Sequence, residues 1–258
     1  MPSPLDIAKL LSKIPWKAIL QRMLGVWNIG FIIFCFIGPV MYPILYSAYF
    51  IILHVIFAVQ NVRNYIGSYN GYHQCVKHSK TDWAQRYCDE ANVTSIHGLA
   101  HDLPFGSVNH IIIVPNYLES METLIDTLDV LASHDMALTN YIVCLAMEET
   151  EYEATRKGDS LVHMYRDSFL SIVFTLHPSD TAGEVRGKSS NVGHAAKIMA
   201  KQTSLLSSSV FTIIDADTCF SQDYFTCLSY HFAIASPSDR QMMLFSPCTV
   251  FDRFSYLI

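Results

Sequence analysis

The sequence predicts an α/β domain carried behind a pair of membrane-crossing helices. Three observations predict it: a long apolar run near the N-terminus without charge, short β-branched runs alternating with helical stretches after residue 108, and acidic or glycine-bearing segments at the ends of those runs. Alternation of this kind argues for a mainly parallel sheet with helices on its faces.

The first element is residues 1–22. Within it, Ile7, Leu10, Leu11, Ile14 and Leu20 fall on one side of a helix and basic groups on the other. Such a segment suits the headgroup region of a bilayer, and extension of the first membrane helix is the alternative. Residues 23–59 then give 37 positions without Asp, Glu, Lys or Arg, nearly twice the ~20 needed for one helical crossing. Gly38-Pro39 and Pro43 interrupt the run. The expected form is a transmembrane hairpin over residues 23–60, with helices at 23–38 and 43–60, each short enough to need local bilayer thinning. One long kinked helix is the competing form. Lys9, Lys13, Lys17 and Arg22 precede the run, and Arg63, Lys77, Lys80 and Arg86 follow it, so both ends are expected on the cytoplasmic side. The run is too long for a cleaved signal peptide.

Seven cysteines lie scattered without a C-x-x-C pair, which suits a reducing compartment rather than a disulfide framework. Asn92-Val93-Thr94 matches a glycosylation sequon that a cytoplasmic location would leave unused. A net charge of −6 gives no sign of nucleic-acid binding.

Residues 61–107 are mixed in composition and read as a connector with one or two short helices. His97, His101 and Asp102, or His73, Cys75 and His78, could be drawn as zinc sites. A closed zinc site needs four well-placed ligands, and surface histidines are the simpler reading.

Residues 108–258 form the α/β domain. Strands are expected at 111–114, 141–145, 171–176 and 210–214, with a further one at 242–245. Helices are expected at 120–133, 151–166, 192–202 and 223–235. The last firm strand, Val210-Phe-Thr-Ile-Ile214, runs directly into Asp215-Ala216-Asp217. A strand ending in two carboxylates can hold a hard cation such as Mg²⁺ or Mn²⁺, with a substrate's phosphates completing the oxygen shell. In an open α/β sheet that place lies beyond the carboxyl ends of the strands. Gly187-Lys188-Ser189 opens a helix and looks like the end of a phosphate-binding loop, but Ala182 stands where a P-loop needs its first glycine. An anchored ATPase is therefore a poor fit, although a lysine and glycine at a helix start can still receive a diphosphate.

Taken in order, these segments resemble the family-2 glycosyltransferases, in particular the membrane-embedded branch of cellulose, chitin and hyaluronan synthases. Pro115-Asn-Tyr117-Leu-Glu119 looks like the family's opening motif, Arg186-Gly187-Lys188-Ser-Ser-Asn191-Val-Gly193 like its Gly-Lys segment, and Ile214-Asp215-Ala216-Asp217 like its Asp-x-Asp. The resemblance implies a Rossmann-like A-type sheet and a nucleotide-diphosphate sugar donor, most often a uridine one, from which a hexosyl group passes with inversion to a glycan acceptor. It implies that Pro115, Tyr117 and Glu119 approach the base and ribose, that Lys188 and Asp215 lie near the donor, and that Asp215 and Asp217 reach Mg²⁺ or Mn²⁺. Where the family carries an Asp-Asp pair after the second strand, this chain has Glu148-Glu149; either could substitute, and both could simply begin a helix.

Inverting transfer also needs a general base for the acceptor hydroxyl. No Glu follows Glu184, the acids beyond Asp217 are Asp223, Asp239 and Asp252 outside the family's context, and no Trp follows Trp83. The expectation is thus the donor half of a membrane-bound enzyme, with the acceptor half lost or encoded elsewhere. The alternative is a truncated, non-catalytic nucleotide-sugar-binding membrane protein, acting as a homo-oligomer or beside a full-length partner.

Overall fold

The computed structural model describes residues 16–96, 102–181, 183–184, 187–202 and 206–247. The chain divides into two compact units, residues 1–71 and 72–258.

In the first unit, helix α1 (Trp16–Met41) is followed after the single residue Tyr42 by helix α2 (Pro43–His78), whose residues up to Gly71 belong to this unit. Both helices are long and apolar enough to cross a membrane, with mean hydropathy of 2.0 and 1.8 over an 18-residue stretch of each. The rings of Phe34 and Tyr49 lie 5.5 Å apart, and those of Phe31 and Tyr49 6.3 Å apart. In a continuous straight helix Phe34 and Tyr49 would be separated by ~22 Å of rise, so the chain folds back sharply at Tyr42, as a hairpin does. Gly38 permits the approach, because a Cβ there would meet the Tyr46 ring at 2.8 Å.

Two expectations change here. Helix α1 already begins at Trp16, which makes the end of the segment expected along the interface continuous with the first apolar helix; the remainder, residues 1–15, lies outside the described residues. Helix α2 runs 36 residues to His78, about 54 Å, so the start of the expected connector is helical. Few breakers fall between Gln60 and His78, and Gly67 and Gly71 are tolerated inside a helix at a cost of ~1 kcal/mol each.

The second unit contains α3 (Trp83–Ile96), β1 (Asn109–Asn116), α4 (Met121–Ala132), a short α5 (Ala137–Asn140), β2 (Tyr141–Glu148), α6 (Ala154–Met164), β3 (Ser171–His177), α7 (Lys188–Gln202), β4 (Ser209–Ile213), α8 (Gln222–Ile234) and a short α9 (Pro237–Arg240). The four strands form one sheet in the order β3-β2-β1-β4, and every pair is parallel. β1 and β2 are buried along their whole length, which is why they read as continuous apolar runs.

Side chains alternate between the two faces with period two. Ile112, Val114, Val143, Leu145 and Met147 meet α4, α6 and α8 on one face, through Leu124, Leu128, Leu161 and Phe225. Ile111, Ile113, Cys144 and Ala146 meet Ala195 and Met199 of α7 on the other. On that second face β4 leaves Phe211 and Ile213 exposed. Burying the two faces of this sheet between helices is the main apolar contribution to the domain.

Helix α4 starts at the Ser120 cap, which accepts from the Thr123 backbone N–H, close to expectation. Helix α7 begins four residues before the expected 192, so Lys188 is its first residue. Residues 242–245 form no strand. Phe245 packs instead with Leu103, Val108 and Phe232, while Met242 and Leu244 are exposed.

Candidate functional site

Strand order fixes where the site lies. The chain adds β2 and β3 on one side of β1, then returns to place β4 on the other. At such a reversal the connections leave in opposite directions and open a crevice beyond the carboxyl ends. The segment after β4 is held against β1 at that crevice: Ile214 donates its backbone N–H to Ile113 O at 3.1 Å.

A cavity of about 530 Å³ occupies the place, lined by residues that include Pro115, Tyr117 and Glu119 after β1, Glu148 at the end of β2, Lys188 at the start of α7, and Asp215 and Asp217 after β4. Four separate stretches of sequence thus converge on one crevice. Of the residues expected at a donor site, Glu149 is the one outside it. Its carboxylate accepts the Ser179 backbone N–H at 2.9 Å and closes the turn after β3. Period two explains the choice: Glu148 is the last residue of β2 and lies on the α7 face with Cys144 and Ala146.

The acidic turn is anchored from below. Ala216 is buried, and its carbonyl accepts from Thr127 Oγ1 at 2.6 Å, while Thr218 N donates to Asp215 O at 3.1 Å. Lys188 Nζ forms an ion pair with Asp215, and both side chains are about half exposed, at 54% and 58%. Gly187, just before Lys188, has φ of +153°, a conformation that a side chain strongly disfavours.

Two carboxylates do not by themselves enclose an ion. Among the described residues no group of three or more His, Cys, Asp or Glu side chains gathers as a metal site. Mg²⁺ and Mn²⁺ commonly take only one or two protein carboxylates when phosphates supply the remaining oxygens. Asp215 and Asp217 both line the cavity, two carboxylates in number. The zinc readings have no support in this set, since Asp102 is engaged by Arg240 at 2.7 and 2.8 Å, and His97 and His101 lie outside the described residues.

Several residues of the site, Asn116 and His177 among them, carried no signal of their own in the sequence, and Asn191 stood there only as part of the Gly-Lys segment. Asn116 donates to Glu151 Oε2 at 2.5 Å, and Asn191 donates to Ala146 O at 2.7 Å. The partners are a carboxylate and a carbonyl, which only accept, so the amide orientations are fixed. Each side-chain oxygen is then left buried without a partner, on residues 1% and 2% exposed that line the cavity. A buried acceptor without a donor costs ~1–3 kcal/mol, and a ligand carrying N–H or O–H groups would relieve it.

Beneath the β1 loop, Lys157 of α6 pairs with buried Glu151 and donates to Glu119 O at 2.7 Å. This ties α6 to the segment that carries Tyr117 and Glu119. The loop needs such a tie, because Leu118 takes a positive φ of 64° and Tyr117 and Leu118 are exposed.

On the β2 side, His177 is the register partner of Glu148. Its Nδ1 lies 3.1 Å from Glu148 Oε2 and its Nε2 3.2 Å from Glu184 Oε2. Burial alone would lower its pKa, but the hydrogen bonds to the two carboxylates prevail and raise it. Glu184 is held below the ordinary carboxylate range, first by His177 and then by Lys197.

Of the acids beyond Asp217, Asp223 lies in the first turn of α8, Asp239 accepts from Ser236 Oγ at 2.7 Å in α9, and Asp252 lies outside the described residues. No family model matches the chain, and no curated protein matches it.

Proposed function

We propose that the cavity binds a nucleotide-diphosphate sugar, with uridine diphosphate as the nucleotide part, and that the chain serves as a membrane-bound inverting glycosyltransferase acting on a glycan acceptor. The observation that carries this reading is the convergence of Tyr117, Glu119, Glu148, Lys188, Asp215 and Asp217 on one crevice at the reversal of strand order. The resemblance of their segments to the family-2 glycosyltransferases supplies the ligand, and a Rossmann-like A-type sheet accords with the strand order.

The chemistry of the walls supports it. Glu148 and the unpartnered oxygens of Asn116 and Asn191 make one wall rich in acceptors, suited to the imide N–H of a uracil and to ribose hydroxyls. Lys188 opens a 15-residue helix, whose N-terminus favours an anion, and it faces the diphosphate. Asp215 and Asp217 hold Mg²⁺ or Mn²⁺ against the phosphates. A divalent ion placed there offsets charge that develops on the leaving diphosphate. Lys188, paired with Asp215 in this structure, would be a cation available to a bound phosphate. The basic residues on both flanks of the apolar run, Arg22 and Arg63 among them, support a cytoplasmic location for the α/β domain, where it would meet a glycan acceptor.

Isothermal titration of the full chain in detergent with uridine diphosphate, with and without Mn²⁺, tests this. Saturable binding that needs Mn²⁺ supports the reading, and its absence under all conditions refutes it. A second reading, donor binding without turnover, is favoured by one observation: among the described residues no carboxylate after Asp217 lines the cavity. Transfer assays in membranes with radiolabelled nucleotide-sugars separate the two, since bound donor without transferred sugar belongs to the second.

A further inference from the structure

His177 sits behind the cavity rather than in it. It is 3% exposed, and its two ring nitrogens face two different carboxylates, Glu148 at the end of β2 and Glu184 in the segment before α7. Carboxylates only accept hydrogen bonds, so a ring bonded at both nitrogens donates twice and is an imidazolium. A neutral imidazole has one N–H. It can serve one carboxylate and must turn a lone pair toward the other.

The rest of the surroundings set the balance of charge. From β2 comes Glu148, with Glu149 following it and giving its backbone N–H to His177 O at 3.1 Å. From the segment before α7 comes Glu184. From α7 itself come Lys197, 3.5 Å from Glu184, and the ring of His194, 5.3 Å from the His177 ring. Two carboxylates bonded directly to the ring outweigh one exposed lysine that reaches only the outer of them. The chain Glu148, His177, Glu184, Lys197 therefore runs from the cavity wall to the middle of α7, the helix that supplies Lys188 and Asn191 to the same cavity.

We propose that His177 is a positioning residue for this cavity: as an imidazolium it fixes the Glu148 carboxylate as an acceptor toward a bound nucleotide, and nucleotide affinity depends on that protonated form. The inference rests on the nucleotide reading given above. Deprotonation leaves Glu148 or Glu184 without its donor and places two carboxylates around a neutral ring. Glu148 is then free to turn from the ligand. Because the two bonds raise the proton affinity of His177, the clamp is complete at and below the ordinary imidazole range of ~6.5. It is lost as pH rises through the raised value of the folded protein.

The test is the affinity of the full chain in detergent for uridine diphosphate with Mn²⁺ between pH 5.5 and 8.5, for the wild type, His177→Gln, Glu184→Gln and the surface control His163→Gln. The diphosphate also titrates near this range, but its added charge strengthens binding as pH rises and is common to all four proteins. The wild type divided by His177→Gln is therefore the quantity to follow. Loss of one charge-assisted contact corresponds to roughly tenfold in affinity. The expected ratio is about tenfold in favour of the wild type at low pH, falling toward one at high pH. Glu184→Gln keeps the inner bond and removes the outer charge, so the same fall is expected at lower pH. His163→Gln is expected to follow the wild type.

Ring-nitrogen shifts of His177 in ligand-free protein give an independent readout. An apparent pKa above ~6.5 that drops in Glu184→Gln is the expected result, and a neutral ring across the range overturns the clamp. A pH-independent ratio, with uridine diphosphate still bound, overturns this proposal and leaves the nucleotide reading intact. No binding at any pH overturns the nucleotide reading and with it the role of His177 in affinity, while the ring titration still decides whether the clamp exists.

Discussion

Replacing Lys157 with Met is expected to loosen the β1 loop, because the lysine joins a buried ion pair to the loop's backbone. Lys157 Nζ pairs with Glu151, whose side chain is 4% exposed against 17% for the lysine, and it also donates to Glu119 O at 2.7 Å. Removing the lysine leaves a buried carboxylate with Asn116 Nδ2 as its remaining side-chain donor. Breaking one side of a buried pair costs ~3–5 kcal/mol, and the partial exposure of Lys157 places this case near the lower end, about 3 kcal/mol. For a unit of this size each kcal/mol shifts Tm by ~2–4 °C, so Lys157→Met should lower Tm by about 6–12 °C. The assay is thermal unfolding of the full chain in detergent, followed by circular dichroism. The double variant Glu151→Met/Lys157→Met should recover most of the loss, since an apolar pair of similar volume is often no less stable than the buried ions. A Tm within about 1 °C of wild type for Lys157→Met alone would refute the reasoning, because shifts that small belong to exposed pairs.

The Lys188 and Asp215 pair should behave in the opposite way: half exposed, it should contribute under ~1 kcal/mol to stability. Asp215→Asn should therefore leave Tm nearly unchanged while weakening uridine diphosphate binding by roughly tenfold or more, as titration calorimetry would show. Gly158→Ala should destabilise the domain by ~1–3 kcal/mol, measured by urea unfolding, because its new methyl group would lie 2.8 Å from the Phe174 ring. His110 is fully buried beside Ser229 Oγ, and desolvation lowers its pKa to about 3. A folded pKa below the unfolded value of ~6.5 means that the unfolded chain takes up the proton first, so stability falls with acid by up to ~1.4 kcal/mol per pH unit between those values. Unfolding measured from pH 7 to 4 should show that slope, and His110→Leu should flatten it.

How much of this was legible in the sequence depended on whether local pattern decided the outcome. The apolar run, with Gly38 and the two prolines, announced two helices and a turn, since hydrophobicity and backbone restriction act within a few residues. The strands were legible because β1 and β2 are buried on both faces and read as continuous apolar runs. Residues 242–245 look the same locally, yet only Phe245 is used, as a packing residue against Val108 and Phe232. Apolar character alone does not supply a ladder partner.

The same division holds at the site. Asp215, Lys188 and Glu119 were marked by their places at the ends of runs. The choice of Glu148 over Glu149 followed from which face of β2 meets α7, a fact of register. His177 and the acceptor oxygens of Asn116 and Asn191 were invisible for the same reason. Their meaning comes from partners across the fold: Glu148 and Glu184 for the histidine, Glu151 and Ala146 for the amides.

The most direct test of the account is calorimetric titration of uridine diphosphate into the full chain with Mn²⁺, compared with the Asp215→Asn/Asp217→Asn variant. Saturable binding by the wild type that is lost both in the variant and on removal of Mn²⁺ is the predicted result. Binding of equal strength in wild type and variant, or none in the wild type, would contradict it.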